Sequence, residues 1–454
     1  MGANEVLSSV NFIARDVTLK NRSHRRARPS QNKPISSPIR LLSIEDTTHE
    51  GHGVARENGK VTFVVGAISG ERVEARIVKE GRQFNQAIAV KRLQDSPDRI
   101  LPTCPHFEQC GGCQLQHMNI SAQRHLKENW LAGQFRKLSL PAEMSRLEGQ
   151  PFGYRRRARI SVFVKNNHAQ IGFRAKSSNE IVDIDQCQVL EPFLQDTYQA
   201  LRSYLKGSAL VAKLGHIELL YDSQGVCIVL RQSRDIQNAD KVALNEWAKS
   251  SSVTLLWQAP SENKVSQHAV RHYVVDDLAL NFHAQDFIQV NAQINEAMVE
   301  QAMSWLALSE DDVVLDLFCG AGNFSLPMAK RAGHVLAVEA IETMVEMGRF
   351  NASQAHLDNI EFIAADLTQS PPNRIKKAKI TKALLDPPRA GALEFLPTLV
   401  RLKPQQILYV SCNASTLARD AEYLIENGFR VTKVCMMDMF PQTSHVEAMM
   451  LLQK

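Results

Sequence analysis

Cys412 stands in Ser411-Cys412-Asn413, directly after the apolar run Ile407-Leu408-Tyr409-Val410. Its thiol is therefore expected at the carboxyl end of a buried strand, where open α/β sheets hold their ligands. A thiol in that position has the makings of a nucleophile. Two carboxylates can reach the same edge. Lys382-Ala383-Leu384-Leu385 is a second short strand, and Asp386-Pro387-Pro388-Arg389 stops it with Asp386 at the tip, because proline cannot continue a strand ladder. Glu447 opens Val446-Glu447-Ala448-Met449-Met450-Leu451-Leu452. The tight Phe440-Pro441-Gln442-Thr443-Ser444 connection before it predicts that this last strand runs antiparallel to the others. Its beginning then meets their ends, and Cys412, Asp386 and Glu447 would face one cleft.

A second cysteine set has a different pattern: Cys104-x5-Cys110-x2-Cys113, with Gly111-Gly112 inside the short loop, and Cys187 much later in the chain. Thiols this dense in a chain read as cytoplasmic point to metal rather than to disulfides. Four thiolates suit structural zinc and iron-sulfur clusters alike, and the spacing matches neither the paired CxxC of zinc sites nor the ferredoxin runs. Residue chemistry leaves both open. Cys227 and Cys435 lie inside strand-like runs and read as core.

The elements that must position the first set lie between Asp286 and the end, where helices alternate with apolar strands. That pattern predicts a mostly parallel sheet covered on both faces. Val313-Val314-Leu315-Asp316-Leu317-Phe318 runs into Cys319-Gly320-Ala321-Gly322-Asn323-Phe324-Ser325. The glycines allow a tight turn and close approach of the backbone to a ligand, but the third glycine of the dinucleotide fingerprint is missing, which disfavours NAD. The next strand ends in Glu339, placed to hold ribose hydroxyls, and a third ends in Asp366, placed to accept from an adenine amine. A nucleoside ligand without pyrophosphate is implied, and S-adenosylmethionine is the leading candidate.

Length bounds the architecture at about three domains, at roughly 150 residues each. No apolar run reaches the ~20 residues of a membrane helix, so no membrane partner is expected. The net charge of +5 is concentrated in the first 40 residues, which carry eight Lys or Arg against two acids. Residues 1–35 read as a disordered basic tail, either simply solvated or bound to phosphates. Residues 36–96 alternate short β-rich pieces with glycine turns, as a small barrel does. Further on, Tyr154-Arg155-Arg156-Arg157-Ala158-Arg159-Ile160 would send Arg155, Arg157 and Arg159 to one face of a strand. That row is suited to phosphates, or equally to protecting an edge strand.

Five motifs in order carry a family resemblance: Asp286-Phe287-Ile288-Gln289-Val290-Asn291, Asp316 to Phe324, Asp386-Pro387-Pro388-Arg389, Ser411-Cys412-Asn413 and His445-Val446-Glu447. Together they resemble the RNA (uracil-C5)-methyltransferase family. The segment around Gly51-His52-Gly53 and Gly66 to Glu71 resembles the TRAM domain, an OB-like barrel. With the cysteine set, the resemblance points to the 23S ribosomal RNA branch. It implies a Rossmann-like S-adenosylmethionine-dependent domain over 281–454, a TRAM barrel over 36–96, and a central α+β domain over 97–280. In that central domain Cys104, Cys110, Cys113 and Cys187 would hold a [4Fe-4S] cluster.

The resemblance further implies that Gln289, Phe318, Asn323, Glu339, Asp366 and Asp386 line the methyl-donor pocket, that Cys412 is the nucleophile and that Glu447 is the base. The chemistry asks for such groups independently. Uracil C5 becomes nucleophilic only after a thiolate adds to C6, and a base must later remove the C5 proton so that the thiolate can leave. Asp386 would also orient the uracil or the thiolate. A cytoplasmic monomer acting on 23S ribosomal RNA is expected. Methylation of a tRNA uridine, or a non-catalytic RNA-binding role in ribosome assembly, are the alternatives.

Overall fold

The structure is a computed structural model, and it describes residues 38–166, 168–262, 265, 269–369 and 371–454. The basic segment 1–35 lies outside the described residues. The chain divides into two compact units, one of residues up to 101 with 117–122, the other of 102–116 with 123–454.

The first unit is a six-stranded sheet. Its strands run, in spatial order, Ile39–Ser43, Arg72–Glu80, Phe84–Gln94, Lys60–Val65, Gly53–Glu57 and Asp46–Thr47. Alternating residues close a small core of Leu42, Ile44, Ala55, Val64, Val73, Ala75, Ile77 and Ala87. A buried carboxylate, Glu71, is satisfied by the Ile68 amide at 2.9 Å and by the Arg99 guanidinium, as burial of a charge requires.

The second unit contains two larger sheets. One has six strands, ordered Ile181–Asp183, His168–Arg174, Arg157–Lys165, Leu214–Asp222, Gly225–Gln232 and Thr254–Gln258. The helices Pro192–Lys206 and Asn238–Ser250 pack against it through Leu194, Tyr198, Leu201, Leu205 and Leu244.

The other sheet has eight strands. It runs from Ile360–Ala364 at one edge through His334–Glu339, Val313–Leu317, Lys382–Leu385, Gln406–Ser411 and Glu447–Gln453 to Arg430–Met437 and Ser145–Leu147. Its first five strands are parallel, and Glu447–Gln453 is antiparallel to its neighbours. The parallel strands are near-continuous apolar runs because both faces are covered. Leu315, Leu336, Ala383 and Ile407 are 1% exposed or less.

Two pieces of the 97–280 segment belong to this layer. The helix Ile120–Gln134 and the turn after it place Leu131, Phe135 and Leu138 in the same core as Leu317, Leu385 and Tyr409. Ser145–Leu147 adds a strand at the edge, parallel to Arg430–Met437. More than a hundred residues separate these pieces from the alternating strands and helices that begin at Asp286, which is why strand periodicity alone assigns them elsewhere.

Candidate active site and cysteine cavity

Parallel pairing puts the candidate residues at one edge. Leu317 pairs with both Val338 and Leu385, Val338 with Ile363, and Leu385 with Tyr409. Phe318, Glu339 and Asp386 therefore leave their strands side by side, Cys412 emerges two positions farther along its own strand, and Asp366 lies two residues past the end of Ile360–Ala364. Strand order reverses between Val313–Leu317 and Lys382–Leu385, and a ligand crevice opens outside the strand ends at such a point. The antiparallel register pairs Ser411 with Ala448, so the next residues out, Cys412 and Glu447, stand opposite each other.

Local structure holds Cys412 out of the core. Asn413 caps the helix Ala414–Glu426 by accepting from the Ser415 amide at 3.2 Å, and its Nδ2 donates to the Arg389 carbonyl at 3.0 Å. This second bond ties the Asp386-Pro387-Pro388-Arg389 turn to the cysteine loop. The turn is held again farther along: the Ala392 amide donates to Asp420 Oδ2 at 2.7 Å, and the Tyr409 hydroxyl donates to the same oxygen at 2.6 Å. Gly391 sits there at φ +82°, where a Cβ would come within 2.6 Å of both Arg419 and Asp420 side chains. Only glycine fits.

Electrostatics distinguishes the three groups. Cys412 is exposed. Partial burial and the charges of Glu447 and Asp386 push its thiol up, against the pull of Arg389. Glu447 is 7% exposed, and burial with the nearby Asp386 pushes its carboxyl up to about 8. Burial alone pushes the Asp386 carboxyl up to about 7. Two carboxyls that hold protons near neutrality beside an accessible thiol make a proton-handling site.

Sequence reading missed two members of it. Arg389 is the cation beside the thiol. Asp316, an acid inside an apolar strand, is 1% exposed; burial pushes it up to about 8, and Ser325 Oγ donates to one of its oxygens. Both lie in motifs that carry the family resemblance but were given no role there; an acid in mid-strand was a readable oddity for Asp316.

The expected donor-pocket residues are disposed unequally. Phe318 takes φ +66°, a strained conformation next to Gly320 at +57° and Gly322 at +107°. Glu339 already accepts from the amides of Gly320, Ala340 and Ile341 at 2.9–3.2 Å. Asp366 is exposed, and Thr368 holds its carboxyl below the usual range. Asn323 is tied by its side-chain amide to Asn295 and to the Tyr273 hydroxyl. The Gln289 carbonyl accepts from Arg156 Nε at 2.7 Å, one chain position ahead of the residues leading into helix Ala292–Leu306.

The second cysteine set lies elsewhere. Cys104, Cys110, Cys113 and Cys187 line one cavity of about 250 Å³, together with Phe107, Arg155, Arg159 and Phe173. Two side-chain bonds bring the distant cysteine in: His106 to Asp185 at 2.7 Å and Thr103 to Gln188 at 2.5 Å. Burial and the neighbouring thiols push Cys113 up to about 11 and Cys187 up to about 12. Among the described residues no three His, Cys, Asp or Glu side chains gather closely enough to chelate a single metal ion. The thiols surround a space instead of converging on a point.

The arginine row is not a free phosphate surface. Arg157 pairs with Glu218 at 3.2 Å and donates to the Asp286 carbonyl. Arg155 lies over the Phe440 ring at 5.7 Å, and the buried Arg156 over Tyr273 at 4.5 Å. Arg159 alone of the row is exposed.

The strand order and the cleft define a Rossmann-like methyltransferase domain. A match to the family described as tRNA (Uracil-5-)-methyltransferase spans residues 120–454, and a TRAM domain match spans 39–90. The chain belongs to that methyltransferase family and carries a TRAM domain. It is 51% identical to the 23S rRNA (uracil(1939)-C(5))-methyltransferase RlmD of Marinomonas posidonica, over 94% of this chain and 98% of that protein. It is 40% identical to the RlmD of Shewanella sediminis, with the same two coverages. The crystal structure of Pyrococcus abyssi tRNA (uracil-54, C5)-methyltransferase in complex with S-adenosyl-L-homocysteine shares the fold. It has a TM-score of 0.73 at 24% identity, over 91% of this chain and all of that one. Among the described residues no helix is long and apolar enough to cross a membrane.

Proposed function

We propose that this chain methylates C5 of one uridine in 23S ribosomal RNA, the counterpart of the uracil 1939 in its relatives' names, with S-adenosylmethionine as donor. The observation that carries the reading is the meeting of an accessible Cys412 with Asp386 and Glu447 at the carboxyl edge of the sheet. The 51% identity over nearly the whole chain favours 23S RNA over the tRNA alternative. A non-catalytic assembly factor has no use for a thiol between two proton-holding carboxyls.

The Cys412 thiolate adds to C6, and the electron pair of the C5–C6 double bond moves out to make an enolate. C5 then attacks the sulfonium methyl, and S-adenosylhomocysteine departs. Glu447, ionised, takes the C5 proton; the released electron pair re-forms the double bond and expels the thiolate. Asp386 lies near both groups and orients the uracil or the thiolate. Gln289, Phe318, Asn323, Glu339 and Asp366, with Asp386, frame the donor. Because Cys412 must approach C6 from a face of the uracil ring, which stacking in a helix covers, the uridine is taken from a loop or flipped out of its stack. The chain acts as a cytoplasmic monomer.

Cys104, Cys110, Cys113 and Cys187 would hold a [4Fe-4S] cluster. A cavity ringed by thiols fits a cluster, whose ligands stand farther apart than those of one ion. When bound, the cluster supplies iron-thiolate bonds that pin the loops together, and no step passes through it.

The test is a nucleoside-resolution map of 5-methyluridine in ribosomal and transfer RNA from cells with and without the chain. Loss of one 23S site is expected. Loss confined to tRNA overturns the RNA assignment, and loss nowhere overturns the activity.

A further inference from the structure

The loop between Arg430–Met437 and Glu447–Gln453 delivers Glu447 to the cleft, and it is gripped by the loop that carries the cysteines. Gln442 is 3% exposed and takes φ +68°, which is unfavourable for a residue with a Cβ and persists only where its surroundings hold it. Its carbonyl accepts from the amides of Gln114 and Leu115, both at 3.0 Å. Its own amide donates to Gln123 Oε1 at 3.1 Å, and Gln123 Nε2 donates to its side-chain oxygen at 2.9 Å. Two residues on, the Ser444 amide donates to Gln114 Oε1 at 3.3 Å, while Gln114 Nε2 donates to the Gly111 carbonyl at 2.8 Å.

Gln114 and Leu115 follow Cys113 directly, and Gly111 lies between Cys110 and Cys113. Only His445 and Val446 separate Ser444 from Glu447. Other groups hold the loop without touching the cysteines: Lys127 Nζ donates to the Phe440 carbonyl at 3.0 Å, and the Tyr154 hydroxyl to the Pro441 carbonyl at 2.9 Å. The cysteine loop is thus one of several clamps, and the one whose position depends on what the cysteines bind.

We propose that Gln114 and Gln442 are positioning residues that link the cysteine cavity to Glu447, so that binding at the cysteines seats the base. This rests on the assignment of Glu447 as base given above. A mis-seated base leaves methyl transfer intact and slows the step after it, the removal of the C5 proton and release of Cys412. General loosening of the fold would slow both alike.

The experiment uses the full-length chain loaded with iron and sulfide, an RNA fragment holding the target uridine, and methyl-labelled S-adenosylmethionine. Iron content, single-turnover methyl transfer and the fraction of RNA in a denaturant-stable methylated adduct are read together. Gln114→Ala is expected to lower turnover about fivefold to tenfold, the effect of losing the grip on the Ser444 amide, with kcat/KM for RNA unchanged and the methylated adduct increased. Gln114→Glu keeps an acceptor for the Ser444 amide but loses the donor to the Gly111 carbonyl, and is expected to restore only part of the rate. Cys187→Ala, which touches neither Gln114 nor the loop, should raise the adduct as iron is lost.

Turnover by the wild type with no rise of adduct in Gln114→Ala overturns the link. A wild type that forms no adduct with 5-fluorouridine RNA overturns the underlying mechanism instead. If Gln114→Ala does not fold, Gln123→Ala releases the other grip on Gln442 and is held to the same outcomes.

Discussion

The two cysteine sets of this chain place one functional group in opposite surroundings, and the roles proposed for them follow from that difference. At the sheet edge a single exposed thiol stands between two carboxyls and one guanidinium, so its charge is contested. In the central region four thiols line a cavity, and burial with the neighbouring thiols pushes Cys110, Cys113 and Cys187 up, so these three are disfavoured as anions without a positive guest. A lone accessible thiol with a proton acceptor beside it suits transient bonding to carbon. Buried thiols gathered around a space suit lasting bonding to metal, which deprotonates them outright. Cysteine type says nothing of this; neighbours decide it.

The sharpest break in the comparison would come from Cys412→Ala. It should reduce methylation by at least about a thousandfold and abolish the 5-fluorouridine adduct, with iron content untouched. Measurable turnover in that variant would move the nucleophile elsewhere. Glu447→Gln should cost on the order of 10²–10⁴ in turnover and trap a methylated adduct, seen as label that stays with the protein on a denaturing gel. Prompt release of product would remove Glu447 from the base role. On the other side, Cys113→Ala should empty the cavity of iron and lower the melting temperature while Cys412 still forms its adduct; full iron retention would mean the four thiols are not the ligands.

The smallest effect tests the carboxyl itself. Its pKa in the folded chain lies well above the ordinary carboxylate value, so ionisation costs more in the folded than in the unfolded state. Stability from the neutral form is complete below the ordinary range and is lost as pH rises toward about 8. Glu447→Gln cannot ionise. Its melting temperature should exceed that of the wild type by ~2–4 °C at pH 8.5 and match it near pH 4. Equal melting at both values would mean that Glu447 is not buried as described.

Much of the catalytic layer was legible because parallel strands buried on both faces announce themselves as apolar runs, and residues directly after such runs land on one edge. The antiparallel last strand followed from a short connection. The helix Ile120–Gln134 and strand Ser145–Leu147 were not legible as parts of that layer. Their partners lie some 300 residues away, and a three-residue strand has no periodicity to read. The arginine row failed for a related reason. Alternation gives the face of a strand but not what covers it, and Glu218, Phe440 and the cysteine cavity occupy that face. Asn323 follows the glycine turn directly, but nothing local foretold that Tyr273 and Asn295 would hold its side-chain amide.

The sequence by itself determined the kinds of group available and the edge at which most of them emerge, since strand termini and proline or glycine turns are local properties of the chain. Tertiary structure alone decided their ionisation and coupling. The raised carboxyls of Asp316, Asp386 and Glu447, and the grip of Gln114 on the segment before Glu447, come from burial and from contacts between elements far apart in the chain. Desolvation and long-range hydrogen bonds have no signature in a linear pattern, because both depend on what the fold brings alongside.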